Sequence, residues 1–217
     1  MEREDWDRRY AGDELLWRAE PNRFLVEATS DLRPGSVLDV ACGEGRNAIW
    51  LAERGWRATG VDFSAVALGK ARRLAAARGV DVEWIEADVR TWSPPGSFDL
   101  VVLLYLQLPS SERPDVLRTF AGAVAPGGHL LVVGHHARNL TAGIGGPQDP
   151  DVLFTEQEVV SSIEGTGLLV ERAEVVRRPV PTGDVDVSVD ALDALVRAVR
   201  PERPAHPEAG HHARSEE

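Results

Sequence analysis

An apolar run that leads directly into a glycine loop and then a helix constrains the fold of this chain more than any other feature. Residues 36–41 (SVLDVA) have the length and apolar content of a buried strand, and an amphipathic helix that Gly55 terminates follows the loop. Between strand and helix, Gly43 and Gly45 allow a tight turn and a close approach of a ligand to the backbone. This order is typical of parallel α/β sheets that bind nucleotide-like ligands beyond the first strand.

The same alternation of strands and helices continues along the chain. Apolar runs of strand length recur, and the stretches between them carry helix caps and apolar residues at helical spacing. The predicted strands are residues 57–62, 81–86, 98–105, 129–134 and 168–176, and the predicted helices run from the cap Ser64 to Arg78, over 111–124, and from the cap Thr155 to Glu164. This spacing predicts one doubly wound, mostly parallel α/β sheet with helices on both faces.

The remaining segments define the predicted domain organisation. We expect a single domain over residues 1–200, in which residues 1–30 form an N-terminal lid. Residues 201–217 have no apolar periodicity and are expected to be a disordered tail. Residues 190–200 fit either a helix or a short final strand.

The composition limits the classes of function. Lysine and arginine number 24 against 35 aspartate and glutamate residues, a formal net charge of −11, which disfavours general binding to nucleic acid. The single cysteine, Cys42, excludes an internal disulfide framework and a multi-cysteine zinc site, and fits the reducing cytoplasm. The charged start of the chain is not a secretory signal, and no apolar run has the length of a membrane span. We therefore expect a soluble cytoplasmic protein without bound metal, whose oligomeric state the sequence leaves open.

The ligand predicted for the glycine loop depends on the acidic residues beside it. Residues 43–48 satisfy the G-x-G-x-x-A pattern of dinucleotide sites, and Asp62 ends the second predicted strand, where a carboxylate can accept both ribose hydroxyls. Asp39 and Glu44, however, would repel a pyrophosphate at close range. The same carboxylates favour the sulfonium and ammonium groups of S-adenosylmethionine, which has no phosphate. We therefore favour S-adenosylmethionine over NAD.

At this point the chain resembles the class I S-adenosylmethionine-dependent methyltransferases over roughly residues 5–200. The resemblance rests on LDVACGEGRN, VDFS, EADV, FDLVVLLY and APGGHLLVV. It implies a Rossmann-like sheet of seven strands with the last one antiparallel, so that residues 190–200 would be a strand. The runs WDRRY and CGEGRNAIWLAERGW are similar to the small-molecule branch with tellurite-resistance and thiopurine-type methyltransferases. The run LLYLQLP lacks the Asn/Asp-Pro-Pro-Tyr motif, which argues against DNA amino-methylation.

The resemblance also assigns roles to individual residues of the site. The cofactor residues fall into groups for the methionine end, the ribose, the adenine face, the adenine edge and the transferring methyl. The methionine end is assigned to Asp39, Ala41, Gly43 and Gly45, and the ribose to Asp62. The adenine face is assigned to Phe63, the adenine edge to Asp88 and Val89, and the position beside the methyl to Leu104. Tyr105 is expected to border the methyl as well.

The acceptor should lie beyond the carboxyl ends of the fourth and fifth strands. His135 is the predicted base or hydrogen-bond partner of the acceptor, with Tyr105 beside it, and the predicted acceptor contacts are Tyr10, Trp17, Arg46 and Gln107. A base is needed only where the nucleophile must lose a proton, as a hydroxyl does. Each of these residues also has a purely structural interpretation.

We therefore predict methyl transfer from S-adenosylmethionine to a small molecule by direct in-line displacement. Two alternatives stay open from the residues: an NAD(P)-dependent oxidoreductase, and a protein that binds S-adenosylmethionine or S-adenosylhomocysteine without turnover.

Overall fold

The computed structural model describes residues 2–17, 19–181 and 188–202. Within these ranges, seven strands form one sheet: β1 (Ser36–Val40), β2 (Arg57–Asp62), β3 (Val82–Glu86), β4 (Phe98–Leu104), β5 (Val124–His135), β6 (Leu169–Pro181) and β7 (Ser188–Val199). The helices are α1 (Arg3–Tyr10), α2 (Arg23–Ala28), α3 (Arg46–Ala52), α4 (Ala65–Arg78), α5 (Arg113–Gly122), α6 (Asn139–Ala142) and α7 (Glu156–Ile163). Residues Pro150–Val152 form a 3₁₀ turn.

The sheet has the strand order β3-β2-β1-β4-β5-β7-β6. Strands β1 to β5 pair in parallel, and β7 is antiparallel to both β5 and β6. The predicted sheet of seven strands with an antiparallel last strand is confirmed. The strand order reverses between β1 and β4, and ligands of open α/β sheets bind at the carboxyl ends of the strands beside such a reversal.

Residues 190–200 lie in β7 up to Val199, so the helical interpretation of this segment is wrong. The strand runs between β5 and β6, and residues 191–196 are all buried. A strand covered on both faces needs no alternation of apolar and polar residues. This burial explains why its apolar spacing could be taken for that of a helix.

Two apolar clusters lie on opposite faces of the sheet. Successive residues of β1 and β4 alternate between them: Leu38 and Val101 belong to one cluster, and Val37 and Val102 to the other. The first cluster includes residues of α5 and α7, and the second includes residues of α2 and α3. Helices therefore cover both faces, as predicted.

Several local predictions are confirmed to the residue. The Ser64 hydroxyl accepts the Ala67 N–H at the start of α4, and Gly79 ends that helix in the left-handed conformation. Thr155 and Glu158 form the capping box of α7.

The segment bounds differ in places from those predicted. Helix α5 ends at Gly122, and β5 already begins at Val124 because the Pro-Gly-Gly turn lies within the strand. Of the predicted tail, residues 203–217 lie outside the described residues. No helix in the described ranges is both long enough and apolar enough to cross a membrane.

Candidate active site

A cavity of about 560 Å³ opens at the carboxyl ends of the central strands. This volume is typical of pockets that hold a small ligand. Most of the residues predicted for the site line it: Tyr10, Trp17, Ala41, Gly43, Arg46, Asp62, Phe63, Asp88, Val89, Leu104, Tyr105, Gln107 and His135. Asp39 and Gly45 do not line the cavity.

The glycine loop needs its glycines for shape and for space. Gly43 and Gly45 have φ values of 55° and 78°, in the left-handed region that favours glycine. A Cβ atom on Gly45 would lie 2.3 Å from Cη2 of Trp84, and one on Gly43 would lie 2.9 Å from the hydroxyl of Tyr10. Gly45 therefore lets α3 pack closely against β3, while Gly43 leaves room beneath the lid.

Asp39 lies beneath the loop. Its side chain is buried, and its Oδ2 accepts the N–H of Ala48 at 3.2 Å in the first turn of α3. Burial raises the pKa of Asp39 to about 7. The carboxyl group thus holds the start of the helix to the end of β1.

Glu44 does not present a free carboxylate to a ligand, and this part of the sequence argument is wrong. Its Oε1 lies 3.1 Å from Nζ of Lys70, and both side chains are buried. The same carboxylate accepts the N–H groups of Leu16 at 3.1 Å and Trp17 at 3.2 Å. Lys70 also donates to the carbonyl of Glu14 at 2.6 Å. This Glu44–Lys70 pair therefore ties the lead-in segment 14–17 to the glycine loop.

Asp62 lies between the glycine loop and the start of α4. Its Oδ2 accepts the N–H of Gly43 at 2.8 Å, and its Oδ1 accepts the N–H of Ser64 at 2.9 Å. Burial raises the pKa of this carboxyl group. Each carboxylate oxygen has more than one acceptor position, so both can still take a hydroxyl from a ligand.

Asp88 lies at the far end of the cavity, where the adenine edge is expected. Its carboxylate is engaged with Arg90, whose Nη2 lies 2.7 Å from Oδ2, and this contact holds the pKa of Asp88 below its usual range. Val89 is buried next to it, and Phe63 is partly exposed.

Tyr10 and Trp17 bring the lead-in over the cavity. The Tyr10 hydroxyl accepts the Nε1–H of Trp17 at 3.5 Å, and its ring stacks on Trp6 with centroids 5.7 Å apart. Tyr10 is buried, which raises the pKa of its phenol. The lead-in segment is thus held by aromatic contacts beside the glycine loop.

Tyr105, His135 and Arg178 line one part of the cavity, called the acceptor edge below. All three contact Asp193, a residue that the sequence analysis did not identify. Asp193 of β7 is fully buried, and its Oδ2 accepts the hydroxyl of Tyr105 at 2.7 Å and Nε of Arg178 at 2.9 Å. Nδ1 of His135 lies 3.5 Å from Oδ1 of the same carboxylate, and the rings of His135 and Tyr105 lie 4.7 Å apart. Tyr105 also has a φ of 59°, rare for a residue with a side chain.

The charge state of this acceptor-edge cluster follows from its contacts. Burial alone would raise the pKa of Asp193, but His135 and Arg178 outweigh it and hold that pKa below its usual value. Burial and the nearby Asp193 raise the pKa of Tyr105. The phenol therefore stays protonated and donates a hydrogen bond to the carboxylate. The one available sequence signal for Asp193 is an acidic residue inside an apolar strand.

Residues 37–128 match a family model described as a methyltransferase domain. The chain is also 35% identical over 125 residues to the demethylmenaquinone methyltransferase of Thermus thermophilus, a match that covers 56% of this chain and 55% of that protein. Residues 37–128 are thus similar to methyltransferase domains. The chain spans about half the length of the known relatives that it matches.

Solved structures share the fold of this chain over most of its length. Magnesium protoporphyrin IX methyltransferase (ChlM) from Synechocystis PCC 6803, solved with bound SAH, is 19% identical with a TM-score of 0.63 and covers 90% of this chain and 93% of its own. TehB from Haemophilus influenzae is 15% identical with a TM-score of 0.69 and covers 91% of this chain and 66% of its own. At these identities the likeness shows the fold alone.

S-adenosylmethionine is the cofactor of this class of methyltransferase, so the cofactor prediction is confirmed for the domain family. The residues of the cavity fit this group. Asp62 retains acceptor positions beside the loop, and it lines the cavity of about 560 Å³ together with Gly43 and Phe63. The named relatives are methyltransferases, and they do not favour an NAD(P)-dependent oxidoreductase.

Proposed function

We propose that this protein transfers a methyl group from S-adenosylmethionine to a small-molecule acceptor by direct in-line displacement. The observation that carries the proposal is that the glycine loop and Asp62 line the same cavity as Tyr105 and His135. When bound, S-adenosylmethionine supplies an already activated methyl group. The chain's own residues have to align the acceptor, exclude water and, where needed, take up a proton.

In this proposal the cofactor half of the cavity binds by shape and hydrogen bonds. Ala41 and Gly43 present backbone to the methionine end, and Asp62 accepts the ribose hydroxyls. Phe63 offers an apolar face to the adenine, whose edge meets Asp88 and Val89. Tyr10 and Trp17 close over the loop and exclude water.

At the acceptor half, we propose His135 as the group that takes the proton of a hydroxyl nucleophile. Nδ1 lies 3.5 Å from Oδ1 of the buried Asp193 carboxylate. In this proposal the neutral ring carries its hydrogen on Nδ1 and uses Nε2 to accept the proton. Tyr105 donates to the same carboxylate and packs against the imidazole, which limits its rotation. This arrangement favours a hydroxyl acceptor, since a thiolate would need no base.

The named relative acts, by its name, on demethylmenaquinone, and it supports a small-molecule acceptor here. A cytoplasmic location stays a prediction from the composition. The proposal is tested by following S-adenosylhomocysteine formed from S-adenosylmethionine with phenol, catechol or thiophenol as the acceptor. We expect acceptor-dependent product with the hydroxyl compounds and a loss of at least 100-fold in His135→Gln. Tight cofactor binding with no acceptor-dependent product would instead identify a binding protein without turnover.

A further inference from the structure

Four carboxylates at or near the cavity have hydrogen-bond donors or cations of the protein itself as partners. Asp62 accepts two backbone N–H groups, and the other acids pair with basic side chains. The pairs are Glu44–Lys70, Asp88–Arg90 and Asp193–Arg178. These acids therefore leave little free negative charge at the cavity, although the chain as a whole has a net charge of −11.

Arg46 differs from these groups. It is the first residue of α3, lines the cavity and is partly buried. Over the part of the chain that the structure describes, its guanidinium has neither a hydrogen bond nor an ion pair. Burial lowers the pKa of this guanidinium, while the nearby Tyr105 and Asp39 oppose the shift. A partly desolvated charge without a partner is unfavourable, and an anionic ligand would relieve that cost.

Arg46 lines the same cavity as Tyr105, His135 and Arg178. Its charge is affected by Tyr105 and, with opposite sign, by Arg178 on β6. The guanidinium of Arg178 lies 5.6 Å from the centre of the Tyr105 ring, and its Nε is held by Asp193. Two arginine residues from different elements, Arg46 of α3 and Arg178 of β6, thus line the cavity that also contains Tyr105 and His135. A planar guanidinium matches a carboxylate with two parallel hydrogen bonds.

We propose that the methyl acceptor carries a carboxylate or a comparable oxyanion, and that Arg46 binds this group while the acceptor's nucleophile faces His135. The inference rests on the proposed function and deepens it by naming the acceptor class. The methionine part of the cofactor also carries a carboxylate, which is the second possible source of the same chemistry. The experiment therefore has to separate the two sources.

The test uses the full chain, its Arg46→Gln variant, and Arg72→Gln as the matched control. Arg72 is exposed on α4 and does not line the cavity. Calorimetric titration first compares S-adenosylhomocysteine with its decarboxylated analogue. Each complex with S-adenosylhomocysteine is then titrated with benzoate and with benzamide, which have the same ring and differ in charge.

We expect both cofactor analogues to bind Arg46→Gln within threefold of the wild type, which also shows that the variant is folded. Benzoate should bind the wild-type complex at least tenfold more tightly than benzamide, and this preference should disappear in Arg46→Gln and persist in Arg72→Gln. A tenfold loss confined to S-adenosylhomocysteine would assign Arg46 to the cofactor's carboxylate and overturn the inference. Equal binding of benzoate and benzamide to the wild type would overturn it as well. Failure of the wild type to bind S-adenosylhomocysteine would instead contradict the proposed function.

Discussion

The hydroxyl of Tyr105 donates to Oδ2 of Asp193 at 2.7 Å, although the two residues are 88 positions apart in the chain. The contact joins the end of β4 to β7 across the end of β5, which carries His135. A fully buried carboxylate thereby connects the residue that borders the predicted methyl position with the proposed base. The antiparallel strand of this fold, which lies away from the glycine loop, supplies that carboxylate.

Asp193→Asn is expected to lower kcat by roughly tenfold to a hundredfold, within what general-base catalysis contributes. The amide still accepts from Tyr105 and Arg178, but it no longer stabilises a positive charge on His135. Affinity for S-adenosylhomocysteine should stay within twofold of the wild type. Steady-state kinetics and calorimetry measure the two quantities. A parallel loss of both would mean that Asp193 only supports the fold.

Asp62→Asn is expected to weaken the binding of S-adenosylhomocysteine at least tenfold, because the amide cannot accept both ribose hydroxyls. The variant has one acceptor oxygen, so only one of the backbone N–H groups of Gly43 and Ser64 keeps its hydrogen bond. An analogue without the ribose hydroxyls serves as the control ligand, and its affinity should be nearly unchanged by the substitution. Equal losses for both ligands would show that Asp62 acts only through the loop.

Lys70→Met is expected to destabilise the fold by about 3–5 kcal/mol, because it leaves the buried Glu44 carboxylate without its cation. It also removes the hydrogen bond to the carbonyl of Glu14, so segment 14–17 should detach from the loop more often. Tryptophan fluorescence should then report faster release of S-adenosylhomocysteine. The double variant Glu44→Gln/Lys70→Met should recover part of the stability. An unchanged release rate would contradict the role of the pair in holding the lid.

Asp39→Asn is expected to stabilise the protein, and by more at pH 8 than at pH 5. The pKa of Asp39 in the folded state is about 7, above its ordinary value of 3.8. Its contribution to stability is therefore fully present below about pH 4 and is lost as the pH rises through 7. Asparagine stays neutral and avoids this loss, so the melting temperature at pH 8 should rise by a few degrees.

Asp99→Asn is the matched control for this pH dependence. Hydrogen bonds from Ser36 hold the pKa of Asp99 below its usual value, so its stabilising effect is present above about pH 4. The substitution should lower the melting temperature at both pH values. If Asp39→Asn also lowered the melting temperature at pH 8, the ionised carboxylate of Asp39 would not be destabilising, and a raised pKa for this group would be contradicted.

The parts of the fold that local chemistry determines could be predicted from the sequence. Ser64, Gly79 and the Thr155–Glu158 pair define helix ends through contacts within one turn, and all of them form as predicted. The helix or strand identity of residues 190–200 could not be derived in this way. It depends on burial between β5 and β6, which are distant in sequence, and only the family resemblance pointed to a strand.

The candidate site shows the same division. The residues at the glycine loop and at the ends of β2 and β4 could be named because strand ends meet at one edge of the sheet. Asp193 and Arg178 could not be named, since nothing in their local sequence indicates what they face. The sequence predicts that Glu44 faces the ligand, because no local signal pairs it with Lys70, which lies on α4.

The central claim is that this cavity binds S-adenosylmethionine, and a thermal unfolding series with S-adenosylhomocysteine, NAD and NADP tests it most directly. A ligand at about 100 times its Kd stabilises the folded state by roughly 2.7 kcal/mol, which gives a measurable rise in Tm. We predict a rise with S-adenosylhomocysteine alone, and a much smaller one in Asp62→Asn. A rise with NAD or NADP instead, or no rise with S-adenosylhomocysteine, would contradict the proposed function.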